Sequence, residues 1–217
     1  MSSLTELIDH TLLSPAATLD QIDQLIHEAI QLRCYSVCVH PTYIEYVKNH
    51  LAGISLPICT VIGFPFGAQM REVKELEMKL ASDDGADEFD IVMNLSDFKN
   101  GMYDEVLDEL IFLRKNFPYH VIKVIIETSL LSENEISIAS GLVLESGADF
   151  VKTSTGFGSR GASLDDIKII RRVVGSKIGV KASGGIKDLG FLKELVSCGA
   201  SRIGTSQTKT IFADHFD

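Results

Sequence analysis

Short apolar runs rich in β-branched residues recur along this 217-residue chain, and stretches with helical periodicity separate them. This alternation predicts strands that each lead into a helix, the pattern of an α/β fold with a parallel sheet. About eight such runs close a (β/α)8 barrel. We therefore predict a single TIM-barrel domain over residues 1–217, with a short helix before the first strand. The predicted strands are Ile8–Leu13, Ser36–His40, Ile58–Ile62, Glu88–Met93, Val121–Glu127, Phe150–Thr153, Ile178–Lys181 and Arg202–Thr205.

Helix boundaries are marked in the stretches between these runs. Ser132–Glu135 and Ser163–Asp166 each place a serine three residues before an acidic residue, which predicts a capping box at the start of a helix. Gly85, Gly147 and Gly199 each precede an alanine and a new strand, as expected of glycine just past a helix end. These features are structural punctuation and point to no chemistry.

Composition excludes several classes of protein. The net charge of −10 argues against a nucleic-acid partner, because binding to a phosphate backbone needs a basic face. The N-terminus lacks a basic segment followed by an apolar run, and no stretch of about eighteen apolar residues occurs, so we expect neither secretion nor a membrane span. The four cysteines show no paired CxxC spacing, which favours reduced thiols in a cytoplasmic protein.

Two lysines occupy equivalent places at the ends of successive predicted strands. Lys152 lies in Phe150–Gly156 and Lys181 in Gly179–Gly185, and small residues and glycine follow each of them. Burial and a nearby second ammonium both lower the pKa of an amine, and a neutral amine can attack a carbonyl to form a Schiff base. The alternative is two unrelated surface lysines at strand ends.

The strand alternation predicts which side chains enter the barrel. With Phe89 facing the helices, Asp90 faces the interior, and the same count directs Cys38, Lys152 and Lys181 inward. A carboxylate and two ammonium groups are hard to explain as packing in an aliphatic barrel. Because their charges compensate one another, we expect them to form a functional site.

Glycine-rich turns follow the last three predicted strands. Gly156–Gly161 has the spacing GxGxxG, but a dinucleotide-binding turn calls for an acidic residue at the end of the next strand, which here ends in Lys181. Ser183–Ile186 and Gly204–Ser206 follow the seventh and eighth strands, where barrels of this type build phosphate sites. We therefore expect one phosphate, with Lys187 adding charge; the alternative is that these glycines only turn the chain.

Other nucleophiles and metal ligands are poorly supported. The six histidines show no HxH or HExxH spacing, so we expect no metal centre. No GxSxG elbow marks a serine nucleophile. Lysine is therefore the best nucleophile in the sequence.

The motifs taken together resemble the deoxyribose-phosphate aldolase family from about residue 6 to residue 206. The segments that carry the resemblance are Ile8–Leu13, Val37–Pro41, Val61–Pro65, Glu88–Asn94, Phe150–Gly158, Val180–Gly185 and Arg202–Ser206. The resemblance implies a class I aldolase that reversibly cleaves 2-deoxy-D-ribose 5-phosphate to D-glyceraldehyde 3-phosphate and acetaldehyde, in deoxynucleoside breakdown. It also implies no metal and no organic cofactor, and a homodimer is a candidate assembly.

The same resemblance implies roles for individual residues. Lys152 would form the Schiff base, Lys181 would lower the pKa of that amine and share in proton relay, and Asp90 would act with them as general acid and base. The residues implied at the substrate end are Asp9, Thr11 and Cys38. Those implied at the phosphate are Gly156, Gly184, Gly185, Gly204 and Ser206.

Two positions depart from the family pattern. Arg160 stands where the family usually has glycine, which would change phosphate contacts. The segment Ile211–Asp217 contains no tyrosine, whereas some members use a C-terminal tyrosine in proton transfer. We therefore expect the proton relay to depend on Asp90, Lys181 and water.

Two further functions stay open at this point. The first is a phosphosugar isomerase or oxidoreductase on the same barrel, which a trapped covalent adduct would exclude. The second is a phosphosugar-binding sensor, which would show saturable binding without turnover.

Overall fold

A computed structural model describes residues 4–51 and 53–213 and shows eight parallel strands in a closed barrel. Each strand pairs with its neighbours in sequence, and the first strand pairs with the last. The predicted (β/α)8 barrel is confirmed, and the short helix before the first strand is a 3-10 helix over Leu4–Leu7. The strands are β1 Ile8–Leu12, β2 Ser36–Val39, β3 Ile58–Ile62, β4 Glu88–Val92, β5 Val121–Ile125, β6 Phe150–Lys152, β7 Gly179–Ser183 and β8 Arg202–Thr205.

Helices surround the barrel, and two of them begin at the predicted capping boxes. Ser132 and Ser163 each accept a hydrogen bond from the backbone N–H three residues on, and both capping boxes are complete. Gly85, Gly147 and Gly199 have φ angles of 110°, 79° and 114°, as expected of residues that end a helix. The α-helices are α1 Leu19–Leu32, α2 Ile44–Leu51, α3 Arg71–Asp84, α4 Leu95–Lys99, α5 Tyr103–Asn116, α6 Glu133–Glu145, α7 Leu164–Val174, α8 Leu189–Ser197 and α9 Thr208–Ile211.

Strand β5 ends two residues earlier than predicted. The N–H of Ile126 still donates to Lys152 O at 3.0 Å, but Glu127 has a φ of 49° and turns the chain into a 3-10 helix over Thr128–Leu130. A positive φ is uncommon for a residue other than glycine and ends the extended backbone there. Glu127 becomes an anchor for the neighbouring loop, as described below.

The main apolar core lies between the barrel and its helices, and it includes residues from every strand. Phe89, for example, points outward and contacts the ring of Phe117 with 5.7 Å between centroids. The barrel interior is therefore left to the alternate side chains, many of which are charged. Within residues 4–51 and 53–213, no helix combines the length and apolar character that crossing a bilayer requires.

The C-terminal segment falls partly outside this description. Residues 214–217, to which much of the expectation about the tyrosine-free tail applies, lie outside the described residues. Ile211 and Phe212 are buried against the core.

Candidate active site

The last three strands bring three basic residues into register inside the barrel. Lys152 on β6 is the direct partner of Lys181 on β7, and Lys181 is the direct partner of Arg202 on β8. The equivalent placement of the two lysines is therefore confirmed. Gly204 makes room for this arrangement, because a Cβ atom at that position would lie 3.0 Å from Lys181 Cε.

Asp90 joins three ammonium groups. Lys152 Nζ and Lys181 Nζ each lie 2.6 Å from Asp90 Oδ2, and Lys123 Nζ lies 2.8 Å from Oδ1. Burial alone would raise the pKa of Asp90, but the three ammonium groups outweigh it and hold that pKa well below its usual value. Asp90 is therefore a carboxylate that accepts hydrogen bonds from both predicted catalytic lysines.

Asp9 holds Lys181 from the other side. Its Oδ2 lies 2.5 Å from Lys181 Nζ, while its Oδ1 accepts hydrogen bonds from Arg202 at 2.8 Å and from Ser36 Oγ at 2.7 Å. Burial would lower the pKa of Lys181, but Asp9 and Asp90 together raise it above its ordinary value. Lys181 is therefore a fixed positive charge between two carboxylates.

Glu88 completes this charged interior at the N-terminal side of the barrel. Its Oε2 lies 2.7 Å from Lys123 Nζ and 3.1 Å from Arg202 Nη1. We call the whole set the ionic cluster, and its seven members are Asp9, Glu88, Asp90, Lys123, Lys152, Lys181 and Arg202. Four are basic and three acidic, so the cluster carries one excess positive charge when all seven are ionised.

Sequence reasoning missed three members of the ionic cluster, namely Glu88, Lys123 and Arg202. A usable signal was present. Glu88 stands two residues before Asp90, so the alternation that directs Asp90 inward directs Glu88 inward as well. Lys123 interrupts the apolar run of β5, where a charge is expected only if it is paired.

A cavity of about 330 Å³ opens at the C-terminal ends of the strands, where TIM-barrel enzymes place their active sites. Of the seven side chains in the ionic cluster, all within the described residues, Lys152 alone lines this cavity. The predicted substrate residue Thr11 and predicted phosphate residues also line it. These phosphate residues are Gly156, Gly184, Gly185, Gly204 and Ser206.

The structure places Asp9 and Cys38 beneath the cavity and not in its wall. Both are fully buried. Asp9 is occupied by Lys181 and Arg202, so its contacts are those of a supporting carboxylate. Cys38 belongs to a small apolar group inside the barrel. Position in the sequence could not distinguish a group that touches the cavity from one that lies a layer below it.

Two glycine turns meet closely beside the cavity. A Cβ atom on Gly161 would lie 2.0 Å from Gly184 O, which no side chain could tolerate. Gly184 and Gly185 have φ angles of 83° and 73°, a conformation that glycine adopts without steric cost. The loops after β6 and β7 therefore form one continuous rim of exposed backbone with Lys187 beside it.

Glu127 fastens the start of the loop that follows β6. Its Oε2 accepts hydrogen bonds from Thr155 N at 3.0 Å and from Thr155 Oγ1 at 2.5 Å, and its Oε1 accepts one from Ser129 Oγ at 2.7 Å. Because Thr155 and Gly156 both line the cavity, this buried carboxylate shapes the cavity wall.

Arg160 fastens the other end of the same loop. Its guanidinium contacts both carboxylate oxygens of Asp166, at 2.5 and 3.1 Å, and donates to Thr128 O at 3.0 Å. The Asp166 carboxylate raises the pKa of Arg160. Arg160 does not line the cavity, so in this structure it anchors the loop to α7 and to the 3-10 helix after β5.

Apolar side chains also line the cavity, and we call Leu12, Leu13, Phe157 and Ile186 the apolar wall. Leu13 belongs to a buried group with Cys38, Cys59 and Val61, against which Phe64 packs. Phe64 in turn meets Phe157, which lines the cavity, edge to face with 5.4 Å between ring centroids. The cavity thus has a polar glycine rim and an apolar wall, and Lys152 lines it as well.

Metal binding fits this site poorly. Among residues 4–51 and 53–213, two groups of three ligands lie close enough to share an ion: Cys38, Cys59 and Asp90, and Asp9, Cys59 and Glu88. Lys123 Nζ already lies 3.2 Å from Cys59 Sγ and 2.8 Å from Asp90 Oδ1. An ammonium group in that place repels a cation, so these residues fit an ionic cluster better than a metal centre.

Comparisons with known proteins agree with this geometry. Residues 4–212 match the family described as DeoC/LacD family aldolase. The chain is 48% identical over 211 residues to the deoxyribose-phosphate aldolase of Mycoplasmoides pirum, covering 96% of each chain. It is 47% identical over 199 residues to that of Staphylococcus carnosus, covering 92% of this chain and 90% of the relative.

A solved structure shares the architecture. The deoxyribose phosphate aldolase from Aeropyrum pernix, described as a unique tetrameric structure, superposes with a TM-score of 0.90 at 31% identity and covers 99% of this chain and 91% of its own. The family match spans nearly all of the described residues, and the relatives from Mycoplasmoides pirum and Staphylococcus carnosus are 48% and 47% identical to the chain. The chain therefore belongs to the DeoC/LacD family of aldolases.

Proposed function

We propose that this chain is a class I aldolase that reversibly cleaves 2-deoxy-D-ribose 5-phosphate to D-glyceraldehyde 3-phosphate and acetaldehyde, in deoxynucleoside breakdown. One observation carries the proposal. Lys152 lines a cavity with a glycine rim, while its Nζ shares one carboxylate oxygen with Lys181.

Lys152 is the proposed nucleophile because it joins the ionic cluster to the cavity. A lysine attacks a carbonyl only as the neutral amine. The fixed charge of Lys181 beside it favours that neutral form, and the cluster loses its excess positive charge when one ammonium gives up a proton. Lys181 is buried, lies between two carboxylates and does not line the cavity, so it suits the role of a charged partner in proton relay better than that of a nucleophile.

The proposed reaction begins when Lys152 Nζ attacks the C1 aldehyde of the open-chain sugar. Loss of water gives an iminium, which accepts the electron pair when the C2–C3 bond breaks. The C3 hydroxyl loses its proton as glyceraldehyde 3-phosphate leaves, and the remaining enamine takes a proton at C2. Hydrolysis then releases acetaldehyde and restores the amine. Asp90 and Lys181, directly or through water, move these protons.

The glycine rim is the proposed phosphate site. Gly156, Gly184, Gly185, Gly204 and Ser206 line the cavity together, and loops after the seventh and eighth strands are where such barrels bind phosphate. Lys187 at the same rim adds a positive charge. The apolar wall then receives the two-carbon end of the sugar. No metal or organic cofactor has a part in this scheme.

We further propose a single-domain cytoplasmic enzyme that self-associates, with a homodimer as the candidate assembly. Its free thiols at Cys34, Cys38, Cys59 and Cys198 suit a reducing compartment. The tetrameric relative from Aeropyrum pernix supports self-association in this family without fixing the number of copies.

A cleavage assay tests the proposal. Purified protein is given 2-deoxy-D-ribose 5-phosphate, and acetaldehyde is followed with alcohol dehydrogenase and NADH. The wild type should turn over, and Lys152→Met should be inactive with its fold preserved by circular dichroism. Lys168→Met is the matched control, since Lys168 is exposed and pairs with Asp165 on the outside of α7. Binding of the sugar phosphate without turnover by the wild type would contradict the proposal.

A further inference from the structure

We propose that Arg202 is a positioning residue for the reaction, and that its charge, delivered through Asp9 and Glu88 from the N-terminal side of the barrel, helps keep the Lys152 amine in its reactive neutral form. This inference rests on the proposed function of Lys152. It assigns a function to members of the ionic cluster that do not line the cavity.

Arg202 is built into the barrel as a buried cation. Its guanidinium lies over the ring of Tyr35 at 3.4 Å from the centroid and is 5.2 Å from that of Phe150. One nitrogen, Nη1, contacts both Asp9 Oδ1 at 2.8 Å and Glu88 Oε2 at 3.1 Å. Two aromatic rings and two carboxylates thus fix one guanidinium group, which leaves it little freedom to move.

The contact with Asp9 connects Arg202 to Lys181 and, through Asp90, to Lys152. Asp9 receives Arg202 on Oδ1 and Lys181 on Oδ2, and Lys181 also contacts Asp90 Oδ2, which receives Lys152. Arg202 therefore shares the negative charge of Asp9 with Lys181. Without Arg202, Asp9 would have more charge left to neutralise Lys181, and Lys181 would repel a proton on Lys152 less strongly.

A second path passes through Glu88. Glu88 pairs with Lys123 as well as with Arg202, and Lys123 contacts Asp90 Oδ1. Because Arg202 takes part of the Glu88 charge, Lys123 keeps more of its own for Asp90. An Asp90 carboxylate that is engaged by Lys123 holds the Lys152 ammonium less tightly.

Groups outside the ionic cluster also face these side chains. Cys59 contacts both Asp90 Oδ1 and Lys123, Cys38 interacts with Cys59 and with Asp90, and the Tyr35 ring lies against Arg202. Burial raises the pKa of Cys59 well above its usual value, whereas the hydrogen bond with Cys59 lowers the pKa of Cys38. Both thiols are present in every variant compared below, so a difference in pH dependence between a variant and the wild type reports the charges of the ionic cluster.

The net charge of the ionic cluster predicts the direction in which loss of Arg202 changes the protonation of Lys152. Removing Arg202 takes away the excess positive charge of the cluster, so Lys152 should keep its proton to higher pH. The contacts that run from Arg202 through Asp9, Lys181 and Asp90 to Lys152 place the two charges at most ~13 Å apart. A unit charge at that distance, with an effective dielectric constant of about 20, shifts a titration by about one pH unit.

The test is the pH dependence of kcat/KM for cleavage of 2-deoxy-D-ribose 5-phosphate, which reports groups in the free enzyme. Arg202→Met should move the acidic limb up by about one pH unit, and Arg202→Lys, which keeps the charge, should restore the wild-type limb. Glu88→Gln removes a negative charge and should move the limb in the opposite direction.

Arg171→Met is the matched control. Arg171 also supports the N-terminal side of the barrel, but it donates to the carbonyl groups of residues 175, 178 and 199 and to no carboxylate. It should lower the melting temperature and leave the acidic limb in place.

The outcomes separate this inference from the proposed function. A wild type that does not turn over contradicts the proposed function. A wild type that turns over, with Arg202→Met and Glu88→Gln showing an unchanged acidic limb or shifts of the same sign, overturns the role of Arg202. If Arg202→Met fails to fold, the direction of the Glu88→Gln shift decides.

Discussion

Replacing Lys181 with methionine should raise the pH at which the enzyme becomes active. Lys152 Nζ and Lys181 Nζ each lie 2.6 Å from Asp90 Oδ2. The two are therefore at most about twice that distance apart, and a unit charge at ~5 Å contributes about 3 kcal/mol at an effective dielectric constant of about 20. Its removal lets Lys152 hold its proton more tightly, so the acidic limb of kcat/KM should move up by about two pH units.

A second effect of this substitution has the same sign. Without Lys181, Asp90 Oδ2 would accept a hydrogen bond from Lys152 alone and no longer from two ammonium groups. This change further favours the protonated amine of Lys152. At neutral pH the rate should fall by about a hundredfold from the titration, and more if Lys181 also moves protons. Part of the loss should be recovered as the pH rises.

The assay measures the rate of borohydride trapping of the substrate adduct from pH 5 to pH 10, because trapping reports Schiff-base formation and not the later proton transfers. Lys168→Met again serves as the control, since its exposed charge is screened by solvent and salt. An acidic limb within about half a pH unit of the wild type would refute the electrostatic role of Lys181, even if turnover fell.

Three further results are expected. Arg160→Met should raise KM for the phosphorylated sugar by about tenfold or less, because Arg160 anchors the loop at the cavity rim. The kinetics with unphosphorylated 2-deoxyribose should not change, and equal effects on both substrates would contradict this role. Lys74→Met should lower the free energy of unfolding in urea by about 3–5 kcal/mol, because the fully buried Lys74 pairs with Glu109 at 2.6 Å. Adding Glu109→Leu to this variant should restore most of the lost stability. The free energy of unfolding should fall as the pH drops below about 4, since Asp9 and Asp90 have folded-state pKa values below those of the unfolded chain; a flat profile between pH 5 and pH 2 would contradict the charged interior.

The fold could be predicted from sequence because each local signal agreed with the barrel. The β-branched runs, the capping boxes at Ser132 and Ser163 and the glycines past the helix ends are all short-range features, and the structure has each of them within two residues of the predicted place. The end of β5 could not be predicted, because Val121–Glu127 is apolar almost throughout. The turn there depends on contacts that Glu127 makes with Thr155, 28 residues away.

The central residues of the site could be predicted because strand alternation decides direction. It placed Asp90, Lys152 and Lys181 inside the barrel, and in the structure both lysines contact the Asp90 carboxylate. The depth of a side chain below the barrel mouth could not be predicted in this way. Whether Asp9 touches the cavity or supports Lys181 beneath it depends on how far each side chain lies from the barrel mouth, which the strand period does not encode.

Arg160 shows a different limit. Its place in a glycine-rich loop suggested a change in phosphate contacts, but its long side chain reaches Asp166 and Thr128 instead. The partner of a flexible surface side chain depends on which acceptors the fold brings near, so the type of residue alone was not enough to assign it.

The most direct test of this account is to reduce the protein with borohydride in the presence of 2-deoxy-D-ribose 5-phosphate and to map the modified peptide by mass spectrometry. We expect one adduct, on Lys152, that is absent without the sugar and absent from Lys152→Met. An adduct on Lys181 or Lys123, or full turnover with no adduct on any lysine, would contradict it.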